Sequence, residues 1–201
     1  MRCKMCKKQP TLNDRWLYIK PNALYNCQKY RAKDPINCKH PNSPNSVAAA
    51  YSNAVDENIL EFINEVRFSN KKYIQPIKIT KIDEAQAELM QELNGVDYTG
   101  YDVCLTHNAI EHIDKRHGKS GQADKSMAND ENLARVGWVI DNFDSIELSK
   151  KKSRQYKNRD GSLADMFTLR KRINGYYYTT VVVPDADKKQ MYVVSAYRNK
   201  S

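Results

Sequence analysis

No stretch of the 201-residue chain approaches the run of about eighteen apolar residues that a membrane-spanning helix requires. The first residues are basic, but no apolar segment follows them, so no secretory signal peptide is expected. There are no internal repeats. The chain has no Walker loop, no GxGxxG and no HExxH, so nothing points to a phosphate-cradling loop, a dinucleotide fold or a zincin helix. Carboxylates are not grouped as a two-metal nuclease would need them: the one DxD, Asp185-Ala186-Asp187, falls in an expected turn. Histidine is scarce, at four residues, and so is cysteine, at five. Without a signal peptide those cysteines read as thiols or metal ligands rather than disulfides, although export by a route that uses no classical signal stays open.

What is present is charge, unevenly placed. The net charge is +9. Residues 1–45 carry ten Lys/Arg against two Asp/Glu, residues 46–149 ten against eighteen, and residues 150–201 thirteen against four. Two basic ends flank an acidic middle. The basic blocks favour a polyanionic partner such as nucleic acid, while the acidic middle argues against a uniformly basic coat.

Residues 1–46 read as a basic, Cys-containing segment that ends in the Pro/Asn/Ser loop from Lys39 to Ser46, and residues 47–201 as the main domain. Cys3 and Cys6 have the spacing of half a zinc knuckle, because thiolates two residues apart can grip one tetrahedral ion from a tight turn. Cys27 and Cys38 would complete the set, but their wider spacing is irregular, so a structural zinc and free thiols are both open. In the main domain, Val55, Ile59, Phe62, Ile63 and Val66 form the stripe of a helix over 47–68. Thr80 to Asp83 matches a capping box, and the helix it starts turns Ile82, Ala85, Leu89 and Leu93 inward before Gly95 stops it. Tyr101, Val103 and Leu105 alternate as a short strand. A further helix over about 130–142 puts Leu133, Val136, Gly137 and Ile140 on one side.

The strand at Tyr101 feeds the stretch around which the rest is arranged, Leu105 to Gly118, LTHNAIEHIDKRHG. Three of the four histidines, His107, His112 and His117, lie in it at intervals of five. Thr106 can cap a helix, Ile110 and Ile113 give its apolar stripe, and Gly118 can close it in a left-handed turn. His112 then shares a face with Arg116, while His117 falls nearer the isoleucines. Imidazole and guanidinium on one helix suit a phosphate; three unremarkable histidines on a wet helix would look the same.

From Ser145 the period changes to two, with strands at about 145–149, 165–173, 176–183 and 190–198. Asn174-Gly175 is the strongest short hairpin signal, and it sets Ile173 opposite Tyr176, Arg170 opposite Thr179 and Lys171 opposite Tyr178. Strict alternation in the last strand places Met191, Val193, Ser195 and Tyr197 on one face. The expected fold is α+β, N-terminal helices packed on a C-terminal antiparallel sheet.

Five pieces, in order, carry a resemblance: HIDKRHG (His112 to Gly118), GQADKSMAND (Gly121 to Asp130), ENLARVGWVIDNFDSI (Glu131 to Ile146), NGYYYTTVVV (Asn174 to Val183) and MYVVSAYR (Met191 to Arg198). Together they resemble phage- and mobile-element-associated nuclease-toxin domains, the group that holds barnase, EndoU, the tRNase colicins and RelE. The resemblance spans about residues 50–198. It implies the same α+β architecture, and an endoribonuclease that cuts RNA without a metal cofactor. It also implies a toxin context: RNA as partner, a cognate immunity protein, and action in the cytoplasm after secretion or delivery by phage. The positions that match its motifs are His112, Arg116, His117 and Ser195, with Thr179 or Thr180 at the middle strand.

The chemistry suits these residues. The 2′-hydroxyl of RNA is the nucleophile, one group must take its proton, and another must protonate the departing 5′-oxygen. Histidine can do either near neutral pH. Arg116, Arg170 or Lys171 and a Ser/Thr hydroxyl would meet the charge that develops at phosphorus, and Tyr177, Tyr178 or Tyr197 would stack an unpaired base. A DNA-cutting HNH site fits less well, because these histidines precede the strands on a helix. The rival reading is a non-catalytic module that binds nucleic acid or protein on the same fold. Histidine substitution separates the two, since only a nuclease loses cleavage while keeping RNA.

Overall fold

The computed structural model describes residues 54–200 except 154, 159 and 160. The candidate zinc ligands Cys3, Cys6, Cys27 and Cys38 and the expected division at residue 46 lie outside the described residues. The elements run α1 (Glu57–Phe68), β1 (Ile77–Lys81), α2 (Glu84–Asn94), β2 (Asp102–Leu105), α3 (His107–His117), α4 (Asp130–Ala134), α5 (Val136–Asp141), β3 (Ser145–Leu148), β4 (Phe167–Ile173), β5 (Tyr176–Asp185) and β6 (Gln190–Lys200).

Six strands form one sheet in the order β1-β2-β6-β5-β4-β3. Its foundation is local. Asn174 and Gly175 both take positive φ, 48° and 79°, the geometry whose twist matches that of a two-residue hairpin. The β4–β5 register then follows the expected pairing, from Ile173↔Tyr176 to Phe167↔Val182. All the pairings are antiparallel but one: β2 runs parallel to β6, through Asp102↔Gln190 to Cys104↔Tyr192. The simple antiparallel meander is therefore extended into a mixed sheet by two strands from the middle of the chain.

The helices lie on one face of this sheet. Ile59, Phe62 and Ile63 of α1, Ile110 and Ile113 of α3 and Leu133, Val136 and Ile140 of α4 and α5 meet Val103, Leu105, Phe167, Leu169, Ile173, Val182, Met191 and Val193 in one buried cluster. The α1 stripe is as its spacing predicts, but the helix starts later: residues 54–56 are not helical, and Asp56 caps it by accepting from the amides of Asn58 and Ile59. Arg135 separates α4 from α5, so the helix expected over 130–142 is two short pieces.

Three local expectations are corrected. Thr80 belongs to β1, and the capping box is Asp83 with Gln86. Ile82 is buried as expected, but helix α2 buries Gln86, Ala87 and Met90, whereas Ala85, Leu89 and Leu93 are exposed; the Gln86 amide donates to the carbonyl of Ile140 (2.8 Å) on the inward side. Gly118 ends α3 with extended rather than left-handed backbone, φ −78° and ψ −166°. A Cβ there would lie 2.6 Å from the carbonyl oxygen of Asp114, so close packing, not φ, requires the glycine.

The last strand departs from strict alternation at a bulge. Val181 pairs with Ser195 but Val182 with Val193, which leaves Val194 as the extra residue. Met191, Val193 and Ala196 therefore share the helix side, and Tyr192, Val194, Ser195 and Tyr197 turn to the other.

Candidate active site

Parallel pairing with β6 stops at Cys104, and α3 continues past the end of β2. From Val193 onward β6 has β5 on one side and, on the other, α3 and the loop that follows it. Thr106 caps the helix by accepting from the Ala109 amide at 3.1 Å. Ile110 and Ile113 anchor it in the core, so His112 and Arg116, one turn apart, are exposed, and His117 is half-buried.

On the face away from the helices, the registers line up three rows. Ser145, Arg170, Thr179 and Tyr197 form one; Glu147, Thr168, Val181 and Ser195 form the next; Arg172, Tyr177 and Asn199 form the third. The first row runs on into α3, because the His117 ring stacks on Tyr197 with centroids 5.3 Å apart and planes at 27°. Arg170 bonds Glu147 at 2.7 Å and also engages the Tyr197 phenol. Tyr156, Ala164 and Met166 cover the far end of this face, where they pack with Cys104, Val183 and Tyr192.

The geometry thus joins His117, Tyr197, Thr179 and Arg170 in one line, with Ser195 in the adjoining row and His112 and Arg116 on the bordering helix. The Ser195 hydroxyl makes no hydrogen bond within the described residues. Partial desolvation by its neighbours pushes the His112 imidazole below the usual histidine value, although the residue is exposed, and the positive charges of Arg116, His117 and Lys115 push it further the same way. His117 Nδ1 lies 2.8 Å from Asp124 Oδ2.

Other candidates lie elsewhere. Thr180 pairs with Ala196 on the helix side and Thr179 with Tyr197 on the other, so of the two threonines, both of them buried, the register places Thr179 in the row. Lys171 is buried on that helix side as well, its Nζ 2.7 Å from Asp144 Oδ1. Tyr178 is 1% exposed and its hydroxyl donates to Asn132 Oδ1 at 2.9 Å, so its ring is not available to a base. Tyr197 already carries His117 on its ring, which leaves Tyr177 as the exposed aromatic of this face. His107 is buried against Tyr73 on the first turn of α3, its ring nitrogen Nε2 3.3 Å from Glu111.

Two side chains at the site escape sequence reasoning: Glu147, which partners Arg170, and Asp124, which partners His117. The one local clue to Asp124 is Ser two residues on, since Asp124 Oδ1 accepts from the Ser126 amide at 2.8 Å and closes an Asx-type turn.

Residues 77–201, which carry every strand among the described residues and the helix with its histidines, match the family described as phage-Barnase-EndoU-ColicinE5/D-RelE like nuclease3. The chain belongs to this family. No curated protein and no solved structure matches it. Membership in this phage-associated nuclease family makes nucleic acid the substrate class and agrees with an α+β fold of helices on a mostly antiparallel sheet. The family match begins at β1, so α1 and its packing on the sheet come from the structure alone.

Proposed function

We propose that this nuclease domain is a metal-independent endoribonuclease of the toxin type. The observation that carries the reading is the line His117–Tyr197–Thr179–Arg170 on the sheet face away from the helices, bordered by His112 and Arg116. It offers two imidazoles for proton transfer and two guanidiniums for a phosphate within one concerted surface.

In this reading His112 is the base. Its environment favours the neutral ring, which can accept the 2′-hydroxyl proton as that oxygen attacks phosphorus. His117 is the acid that protonates the departing 5′-oxygen; an imidazolium there faces the Asp124 carboxylate at 2.8 Å. The P–O5′ bond breaks as the P–O2′ bond forms, and a 2′,3′-cyclic phosphate is left. Arg116 and Arg170 offset the negative charge on the phosphorane, with the Ser195 hydroxyl as a donor; Thr179, only 2% exposed, packs within the row between Arg170 and Tyr197 rather than meeting the phosphate. Tyr177 stacks the neighbouring base, and Arg172 beside it holds a flanking phosphate. Cleavage would take place in the cytoplasm of a target cell, and a cognate immunity protein would protect the cell that makes the toxin.

The test uses purified protein and total RNA in excess EDTA, beside a His112→Ala, His117→Ala double variant. Cyclic-phosphate fragments are expected from the wild type, none from the variant, and none from a substrate with 2′-deoxy nucleotides. RNA that is bound but left intact by the wild type would replace this reading with a non-catalytic binding module.

A further inference from the structure

We propose that Asp124 is a positioning residue for His117: it holds the proton on Nδ1 and so makes Nε2 the nitrogen through which His117 exchanges a proton. The role of His117 as acid rests on the ribonuclease reading above; the effect of Asp124 on its ring does not.

The ring is held on an edge and on a face. Along the edge, Nδ1 is 2.8 Å from Asp124 Oδ2; on the face, it stacks against Tyr197. Asp124 is itself fixed. Its other oxygen accepts from the Ser126 amide, and the Ala123 and Asp124 amides both donate to the carbonyl of Arg116, at 2.9 and 3.2 Å. The loop is then tied forward to the sheet. The Arg198 amide, on the side of β6 that has no strand beside it, donates to Ser126 Oγ (3.2 Å), and Arg198 Nε donates to the Ser126 carbonyl (3.1 Å). Met127 is buried and its amide donates to the carbonyl of His117 at 2.8 Å, so the loop cannot drift away from the helix end.

A carboxylate accepts and does not donate, so the neutral imidazole facing it carries its hydrogen on Nδ1. Burial raises the Asp124 carboxyl, but the side-chain and backbone bonds from Ser126, together with His117, outweigh it and keep it below the ordinary carboxylate value, hence ionised at neutral pH. Asp124 is the one carboxylate within 4 Å of the ring nitrogens among the described residues, and the Tyr197 ring on β6 covers the face. A merely structural tie between helix and loop would need the contact but not the tautomer.

Asp124→Asn is the discriminating variant. Its carbonyl can still accept from the Ser126 amide, while its NH₂ would donate to Nδ1 and drive the hydrogen to Nε2. In the wild type the imidazole ¹⁵N shifts of His117 should report the Nδ1–H form, and in the variant the Nε2–H form. On RNA, kcat should fall roughly 10²- to 10⁴-fold with KM within about threefold, because the loss is confined to the proton-transfer step. Asp124→Glu, which keeps the carboxylate, should retain the Nδ1–H tautomer and recover part of kcat, and it serves equally if the asparagine variant does not fold. An unchanged tautomer in Asp124→Asn, or an unchanged kcat beside an active wild type, overturns the proposal. A wild type that cuts no RNA overturns the nuclease reading alone, since the ¹⁵N spectrum still decides what Asp124 does.

Discussion

His112 and His117 lie five residues apart on one helix, yet their surroundings differ. His117 has a carboxylate at its edge and a tyrosine on its face, while His112 has partial desolvation and three neighbouring positive charges, all of which oppose its protonation. A lowered value keeps an imidazole neutral, and able to act as a base, further into acid. The acid limb of kcat/KM should therefore fall below the pH expected of an ordinary histidine. Arg116→Gln removes one of the repelling charges, so the limb should move to higher pH while kcat/KM falls roughly 10²-fold through the lost phosphate contact. A pH series on wild type and variant checks both, and a limb that stays in place would remove His112 from the role of base. The side chains named by the histidine stretch and by the hairpin register were readable from sequence, because helix period and a two-residue turn are local. The choice between Thr179 and Thr180, or Arg170 and Lys171, was not. The members of each pair are adjacent in sequence and on opposite faces, and which face the helices cover is a tertiary fact.

Elements were legible where one local rule governed them. The α1 stripe and the Asn174-Gly175 hairpin follow directly from period and turn chemistry. The β6 bulge did not, since an extra residue leaves no mark in an alternating run of Met, Val, Ser and Tyr. Nor did the face of α2, where the pattern favours leucines but Gln86 finds a buried partner in the Ile140 carbonyl. The loop after α3 is the element on which the site most depends, and Gly121 is its tightest point. A Cβ there would lie 2.1 Å from the Asp124 carbonyl and 2.8 Å from that of Arg116, both backbone atoms that yield only if the loop moves. Gly121→Ala should cost about 1–3 kcal/mol in urea unfolding and should also lower RNA cleavage, because the shift carries Asp124 away from His117. Full activity in a destabilised Gly121→Ala protein would show that the loop and the site are independent.

At the scale of the whole molecule, α1 is bound to the nuclease core by more than apolar packing. Arg67 bonds Asp114 on α3 at 2.7 Å and Asp130 at the start of α4 at 2.6 Å, so one guanidinium ties three helices. Arg67→Ala should lower stability by about 1–2 kcal/mol, measured as a lower urea midpoint; the partners are partly solvated, which keeps the effect below that of a fully buried pair. An unchanged midpoint would leave Ile59, Phe62 and Ile63 as what holds α1 in place. The mixed sheet has one more consequence, and it concerns time. The histidines arrive with the first half of the domain and Tyr197 and Ser195 with its last strand, and the two halves meet through the short parallel pairing of β2 with β6. Contacts so distant along the chain form late, after the local hairpin. A chain cut short before β6 would hold both histidines and no site, so the histidine helix becomes part of the row on the sheet only once β6 has paired.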